Sequence, residues 1–179
     1  LKFERISINP QILIFCSDIS PKPEEEGYFV AGEGGPTEVI NTTLYGVILA
    51  GKLSLFREET CKRPNIATHE ILHVLGFEHN NNPESILYPT LDCEQEVDEY
   101  IIEDINNLYS VDGKPDLKII DVEAVKSGRY LSFDIEIINR GLADTSKLIL
   151  SVYSDDELAK EFEMDEVGIG TKKTLHVEN

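Results

Sequence analysis

The chain has 179 residues, enough for one full domain or for a compact domain followed by a small second one. Its 34 acidic and 16 basic side chains give a formal net charge of −18, and a surface this acidic argues against nucleic-acid binding, which needs basic patches. The acidity fits either selection for cationic substrates or simple solubility. No run approaches the roughly 18 consecutive apolar residues of a membrane span, so none is predicted.

The first predicted elements are strands and a loop. Residues 12–16 form a short apolar run that predicts a buried strand, with Cys16 as a small core residue. Residues 20–36, rich in Pro, Gly and Glu, predict a long exposed loop. Two further strands are predicted over residues 45–50 and 52–56, because apolar and polar side chains alternate in the second run.

From Asn65 the apolar spacing becomes helical, and Gly76 is the expected end of that helix. The Asn-Asn-Asn-Pro sequence at 80–83 indicates a turn. A second helix is predicted over residues 95–109 from one apolar stripe. The members of that stripe are Val97, Ile101, Ile105 and Leu108.

Residues 110–115 predict a linker, which divides the chain into domains at 1–113 and 114–179. After the linker, β-branched runs are separated by Gly, Asn and Asp turns, a pattern typical of a small all-β sandwich. The predicted strands of this domain are residues 117–122, 130–138, 147–153 and 174–177.

Four residues of the first helix and the loop after it carry the chemistry. His69 and His73, four residues apart, lie on one helix face and can bind one zinc ion. Gly76 can adopt a positive φ and end the helix, so that His79 returns as the third ligand. Glu70 lies beside the metal without binding it. The arrangement predicts peptide-bond hydrolysis by a zinc-bound water, with Glu70 as general base.

The alternative to a metal site is a chance match, in which two histidines are structural and a third lies in a loop. The chain has only four histidines, and three of them fall at the ligand spacing, which favours the metal site. The fourth, His176, is predicted to be structural. Cys61 and Cys93, on either side of the helix, could form a disulfide or remain buried thiols.

The string from His69 to His79 resembles H-E-x-x-H-x-x-G-x-x-H, the signature of the metzincin clan of zinc peptidases. Residues 85–89 (Ser-Ile-Leu-Tyr-Pro) resemble the Met-turn segment of the matrixin branch, with Leu87 in the place of the methionine. A leucine of similar volume could serve there. Asn80 is a second departure, because matrixins usually have serine after the third histidine.

This resemblance implies an α+β fold, in which residues 1–113 form a twisted mixed sheet with the zinc-site helix and a C-terminal helix. It implies a zinc metalloendopeptidase acting on protein or peptide substrates. An edge strand within residues 45–50 would pair with an extended substrate. The substrate pocket would be lined by Tyr88, Pro89 and Leu91. A structural calcium ion near residues 33–35 is a further expectation.

Residues 115–117 and 139–143 resemble CARDB-like modules, immunoglobulin-type sandwiches of prokaryotic cell-surface and secreted proteins. The resemblance implies an extracellular or cell-surface location, and the C-terminal domain would act as a spacer or in adhesion. The whole chain is expected to be a monomer. Residues 1–5 lack the apolar core of a signal peptide, so such a signal is either lacking or lies upstream.

Two other functions compete with the peptidase. One is a non-catalytic, zinc-containing adhesion or binding protein at the cell surface. The other is a structural zinc site, whose fourth ligand would be a distant Cys16. The intact Glu70 favours the peptidase, because a site without catalysis has little need of a base.

Overall fold

The computed structural model describes residues 2–23, 26–42 and 45–178, and the chain packs as two compact units. The first unit comprises Leu1–Val39 and Ile48–Val111, and the second comprises Ile40–Val47 and Asp112–Asn179. The combination of two helices and several sheets in the described residues is compatible with the expected α+β fold class. The boundary between independent domains near residue 113 stays a prediction.

The first sheet has three strands in the order β1-β3-β2, with β1 at Ile12–Cys16, β2 at Gly32–Asn41 and β3 at Gly46–Leu55. Strand β1 runs parallel to β3, with Ile12 opposite Gly51. Strand β3 therefore occupies the centre of the sheet, and the expectation of an edge strand within residues 45–50 is wrong. The edge strand on that side is β2.

Two other predictions for this region are wrong. The predicted loop over residues 20–36 gives way to β2 at Gly32, and the two predicted strands at 45–50 and 52–56 are one continuous β3. Gly32, Gly34 and Gly51, which suggested a loop or a break, lie where the sheet meets the first helix. A Cβ on Gly51 would stand 2.4 Å from Cγ1 of Val74, so the missing side chain allows close helix–sheet packing.

Strand β1 forms at its predicted residues but is not buried. Leu13, Ile14 and Phe15 are 46%, 64% and 46% exposed, and Cys16 is a free, exposed cysteine. The prediction of Cys16 as a core residue is therefore wrong. The apolar run specified the strand, but burial requires a second layer over both faces of β1, and the described residues do not provide one.

The first helix, α1, spans Asn65–Val74, and the second, α2, spans Glu99–Tyr109. Helix α2 begins four residues later than predicted. The side chain of Gln95 explains the difference, since it is buried and hydrogen-bonded to Asp92, Pro83 and Thr90 in the preceding loop. One apolar cluster joins the helices to the segment between them. Its buried members are Leu72, Ile86, Leu87 and Ile101. No helix in the described residues is long and apolar enough to cross a membrane.

Residues 112–178, the larger part of the second unit, contain five strands in two sheets: β4 (Leu117–Ser127), β5 (Tyr130–Asn139), β6 (Leu148–Ser154), β7 (Glu157–Met164) and β8 (Lys172–Val177). One sheet has the order β4-β5-β8, and the other is the antiparallel pair β6-β7. A single apolar cluster draws on β5, β6, β7 and β8. An immunoglobulin-type sandwich for this unit stays a prediction.

Strand β7 was not predicted, because its sequence is rich in charged residues. Its pairing with β6 depends on the turn at Asp155 and Asp156, which both have positive φ, at 49° and 64°. Two consecutive residues in that conformation form the hairpin turn whose twist matches that of the flanking strands.

Asn139 organises the turn after β5. It is fully buried, and its Oδ1 accepts hydrogen bonds from the backbone N–H groups of Asp116 and Gly141. Its Nδ2 donates to the carbonyls of Ala143 and Val167. The side-chain amide thus has four hydrogen bonds, which fix the loop to the strands around it.

Candidate metal centre

The end of helix α1 determines where the third histidine lies. Gly76 has φ +92°, as predicted. The N–H of Gly76 bonds to the carbonyl of His73 at 3.0 Å, and that of Phe77 bonds to the carbonyl of Leu72 at 3.0 Å. This pair of bonds is the Schellman motif, which reverses the chain direction after a helix. The reversal brings His79 back toward the helix face that carries His69 and His73.

The three histidines converge on one point. The Nε2 atoms of His69 and His73 are 2.9 Å apart, and the Nε2 of His79 lies 3.1 Å from the first and 3.2 Å from the second. Three nitrogens held about 2.0–2.1 Å from one tetrahedral zinc ion are about 3.3 Å apart. The triangle of nitrogens therefore has nearly the size that zinc requires.

Two backbone carbonyls fix the tautomers of the helical histidines. Nδ1 of His69 lies 2.6 Å from the carbonyl oxygen of Ile86, and Nδ1 of His73 lies 2.6 Å from that of Phe77. A carbonyl oxygen can only accept, so each Nδ1 carries the proton and donates it. Each Nε2 consequently presents its lone pair to the centre, the form in which imidazole binds a metal.

The electrostatics favour the neutral form of two of the three histidines. Burial, together with the neighbouring His73 and His79, lowers the pKa of His69 to about 4. Burial also lowers the pKa of His79, and His73 adds to that effect. The rings of His69 and His79 are therefore available as neutral ligands near neutral pH.

Glu70 lies on the next position of α1 and is only 5% exposed. Burial, and to a smaller extent the nearby Glu33, raise the pKa of its carboxyl to about 7. Strand β2 passes directly over this side chain. A Cβ added to Gly32 would stand 2.6 Å from Cγ of Glu70 and 2.7 Å from its Oε1.

A buried turn at residues 85–88 is hydrogen-bonded to the metal centre. Leu87, in the methionine position, is fully buried, and its neighbour Ile86 supplies the carbonyl that orients His69. The Oγ of Ser85 accepts hydrogen bonds from the backbone N–H of Leu87 and from Nδ2 of Asn80, and it donates to Asp98. Asn80 also donates its backbone N–H to the carbonyl of Leu87. Asn80, which follows His79, is thereby hydrogen-bonded to the turn that orients His69.

A disulfide between Cys61 and Cys93 lies beside the centre and connects the segment ahead of α1 to the segment ahead of α2. Nδ2 of Asn65 donates to the carbonyl of Asp92, which reinforces this connection. Glu59 accepts hydrogen bonds from the N–H groups of Cys61 and Ile66, so it satisfies a free donor in the first turn of α1.

The residues predicted to line a substrate pocket follow the buried turn. Tyr88 is half-buried, Pro89 is exposed, and Leu91 packs against the apolar cluster of the two helices. Their role as pocket residues stays a prediction. The same holds for calcium near residues 33–35, which belong to strand β2. His176 lies in β8, where its Nδ1 bonds to Asp134 and its Nε2 is 3.2 Å from Glu178.

Sequence reasoning did not identify Gly32, Glu33, Ser85 or Asp98 as parts of the centre. Serine in the turn and aspartate before α2 are common capping residues, so their types alone gave no signal. The glycines in residues 32–35 were visible, but they were interpreted as a loop.

The donor set fits zinc. The cluster contains three imidazoles, and among the described residues no thiolate or carboxylate belongs to it, so Cys16 is not part of this group. Residues 25–110 match the family model of matrixin. Searches of curated proteins and of solved structures found no significant match to the chain. The family match and the converging His69, His73 and His79 together support a matrixin-like zinc metallopeptidase.

Proposed function

We propose that this protein is a zinc-dependent endopeptidase in which His69, His73 and His79 bind the metal and Glu70 is the general base. The observation that carries the proposal is the convergence of three Nε2 atoms within 3.2 Å, with a buried carboxylate on the adjacent helix position. Three protein ligands are the pattern of catalytic zinc sites, whereas structural sites usually have four.

Each residue has a distinct part in the proposed reaction. When bound, zinc would supply a Lewis acid that polarises a carbonyl and makes water more acidic. His69 and His73 hold their Nε2 lone pairs in place because Nδ1 of each is fixed by a carbonyl. The Glu70 carboxylate takes a proton from water and gives it to the leaving amine nitrogen.

We further propose that an extended peptide pairs with β2, the strand at the edge of the sheet next to β3. Backbone hydrogen bonds along such an edge bind a peptide with little regard to its sequence. Tyr88, Pro89 and Leu91 would then line the pocket for the side chain after the cleaved bond. This part of the proposal rests on the matrixin likeness.

An extracellular or cell-surface location is proposed on two grounds. The disulfide between Cys61 and Cys93 is of a kind that persists in oxidising compartments. The second unit has the two sheets and shared apolar cluster expected of a CARDB-like module, and we propose for it a spacer or adhesion role.

The test combines metal analysis with cleavage of a mixed peptide library. We expect one zinc ion per chain, cleavage that stops with a chelator, and recovery when zinc is returned. Glu70→Gln should retain zinc and lose at least about 100-fold in kcat, a loss of the size typical for a general base. His73→Ala should lose both the metal and the activity.

Two matched controls separate these effects from general damage. His176→Ala removes the one histidine outside the cluster, and Glu103→Gln removes an exposed carboxylate of α2. Both should leave zinc content and cleavage unchanged. A chain that binds one zinc ion and cleaves no peptide would overturn the proposal and favour a zinc-containing binding protein.

A further inference from the structure

The side chain of Glu70 has room because residue 32 is a glycine. An ideal Cβ on Gly32 would meet three atoms of that side chain, Cγ at 2.6 Å, Oε1 at 2.7 Å and Cδ at 2.9 Å. Carbon atoms in contact normally lie about 3.5–4.0 Å apart. Any larger residue at this position would therefore displace the Glu70 side chain from where it lies.

The backbone of Gly32 does not itself require glycine. Its φ lies outside the positive range, unlike that of Gly27, Gly76, Gly128 and Gly170, which are the glycines with positive φ among the described residues. Alanine could adopt the same backbone conformation, so its cost at this position would come from the contact with Glu70.

The two other glycines of β2 make different contacts. A Cβ on Gly34 would lie 2.3 Å from the backbone carbonyl oxygen of Glu70, so substitution there would force apart strand and helix. A Cβ on Gly35 would meet nothing within 4 Å. Gly168, in the second unit, is a suitable control, because a Cβ there would lie 3.4 Å or more from its nearest neighbours and its φ lies outside the positive range.

We propose that Gly32 is a positioning residue, whose missing side chain sets where β2 holds the Glu70 carboxylate beside the metal centre. This inference rests on the proposed function, since it concerns the placement of the proposed base. A displacement of about 1 Å in a catalytic group can lower a rate by about 100-fold. The sequence therefore requires glycine at residue 32 for the reaction as well as for packing.

The kinetic test compares Gly32→Ala with Gly168→Ala in the zinc-loaded protein. Gly32→Ala should lower kcat by roughly 10- to 100-fold, with KM and zinc stoichiometry unchanged. Gly168→Ala should stay within about twofold of the original chain in both constants. Loss of zinc or a raised KM in Gly32→Ala would indicate general distortion and overturn the inference, as would a kcat equal to that of Gly168→Ala.

A second readout needs no activity. Melting temperatures are measured for the original chain, Gly32→Ala, Glu70→Ala and the double variant. With Glu70 present, Gly32→Ala should lower the melting temperature by roughly 5 °C, because the added methyl group has no room. With alanine at residue 70 the same substitution should cost less than about 1 °C.

Equal losses of melting temperature with and without the Glu70→Ala substitution would overturn the inference, because the added methyl group would then not be meeting the Glu70 side chain. The design also separates failure of this inference from failure of the proposed function. If the original chain cleaves no peptide, the proposed function fails, and the melting cycle still decides whether Gly32 positions Glu70.

Discussion

The disulfide between Cys61 and Cys93 is expected to hold together the segments on either side of the zinc-site helix. It closes a loop of 32 residues that contains α1, the three histidines and the buried turn at residues 85–88. Replacing both cysteines by serine releases this constraint from the unfolded chain. We expect the first unit to be destabilised, while the second unit keeps its stability.

The size of this destabilisation follows from the length of the loop that the disulfide closes. For 32 residues, the chain-entropy relation gives a loss of about 3.7 kcal/mol in the free energy of unfolding at 25 °C. The hydrogen bond from Asn65 to Asp92 and the Arg63–Glu96 ion pair, at 2.8 Å, connect the same segments. They remain in the variant, but the ion pair is exposed and contributes little.

Hydrogen exchange read by mass spectrometry reports on the two units separately. Both proteins carry Cys16→Ser, because the free, exposed Cys16 could otherwise exchange with the disulfide. Amides of α1 that exchange only through unfolding should lose about 500-fold in protection, the equivalent of about 3.7 kcal/mol. Amides of β5 serve as the control. A loss below about fivefold in α1, or an equal loss in β5, would refute the reasoning.

Substitutions at three further residues test the packing and the electrostatics. Leu87→Met should lower the free energy of unfolding by less than about 1.5 kcal/mol and retain zinc, whereas Leu87→Ala should lower it by about 2–5 kcal/mol. Urea unfolding measures both losses. Equal losses would show that Leu87 is not closely packed in the turn. Asn139→Ala should destabilise the second unit by about 2–5 kcal/mol, because its four backbone partners lose their hydrogen bonds to the side chain. Amide hydrogen-exchange rates in β5 that do not change would contradict this prediction. Hydrogen bonds to Asp134 and Glu178 raise the pKa of His176, so its stabilising contribution is present below pH 6.5 and is lost as the pH rises through the folded-state pKa. Asp134→Asn should move that pKa down in an NMR titration, and an unmoved pKa would exclude the pairing.

The zinc-site helix could be predicted from sequence because its information is local. The spacing of His69 and His73 follows from 3.6 residues per turn, and Gly76 marks the helix end through its own backbone freedom. Strands β5, β6 and β8 were similarly visible, because β-branched residues alternate along them.

The misassigned elements are those whose conformation depends on a distant partner. Strand β2 has a glycine-rich start that resembles a loop, and its pairing with β3 in the sheet decides its extended conformation. Strand β7 has charged residues on a largely exposed surface, and its pairing with β6 decides its conformation. Helix α2 begins at Glu99 because the side chain of Gln95 bonds to a loop well before it.

The sequence by itself determined which three histidines form the candidate metal centre and which helix presents two of them, since both depend on spacing within one segment. Tertiary structure decided the distances among the three Nε2 atoms, the carbonyls that fix two imidazole tautomers, and the position of β2 over Glu70. These features join residues far apart in the chain. Local propensity carries no information about them, because the partners meet only after the sheet and helices pack.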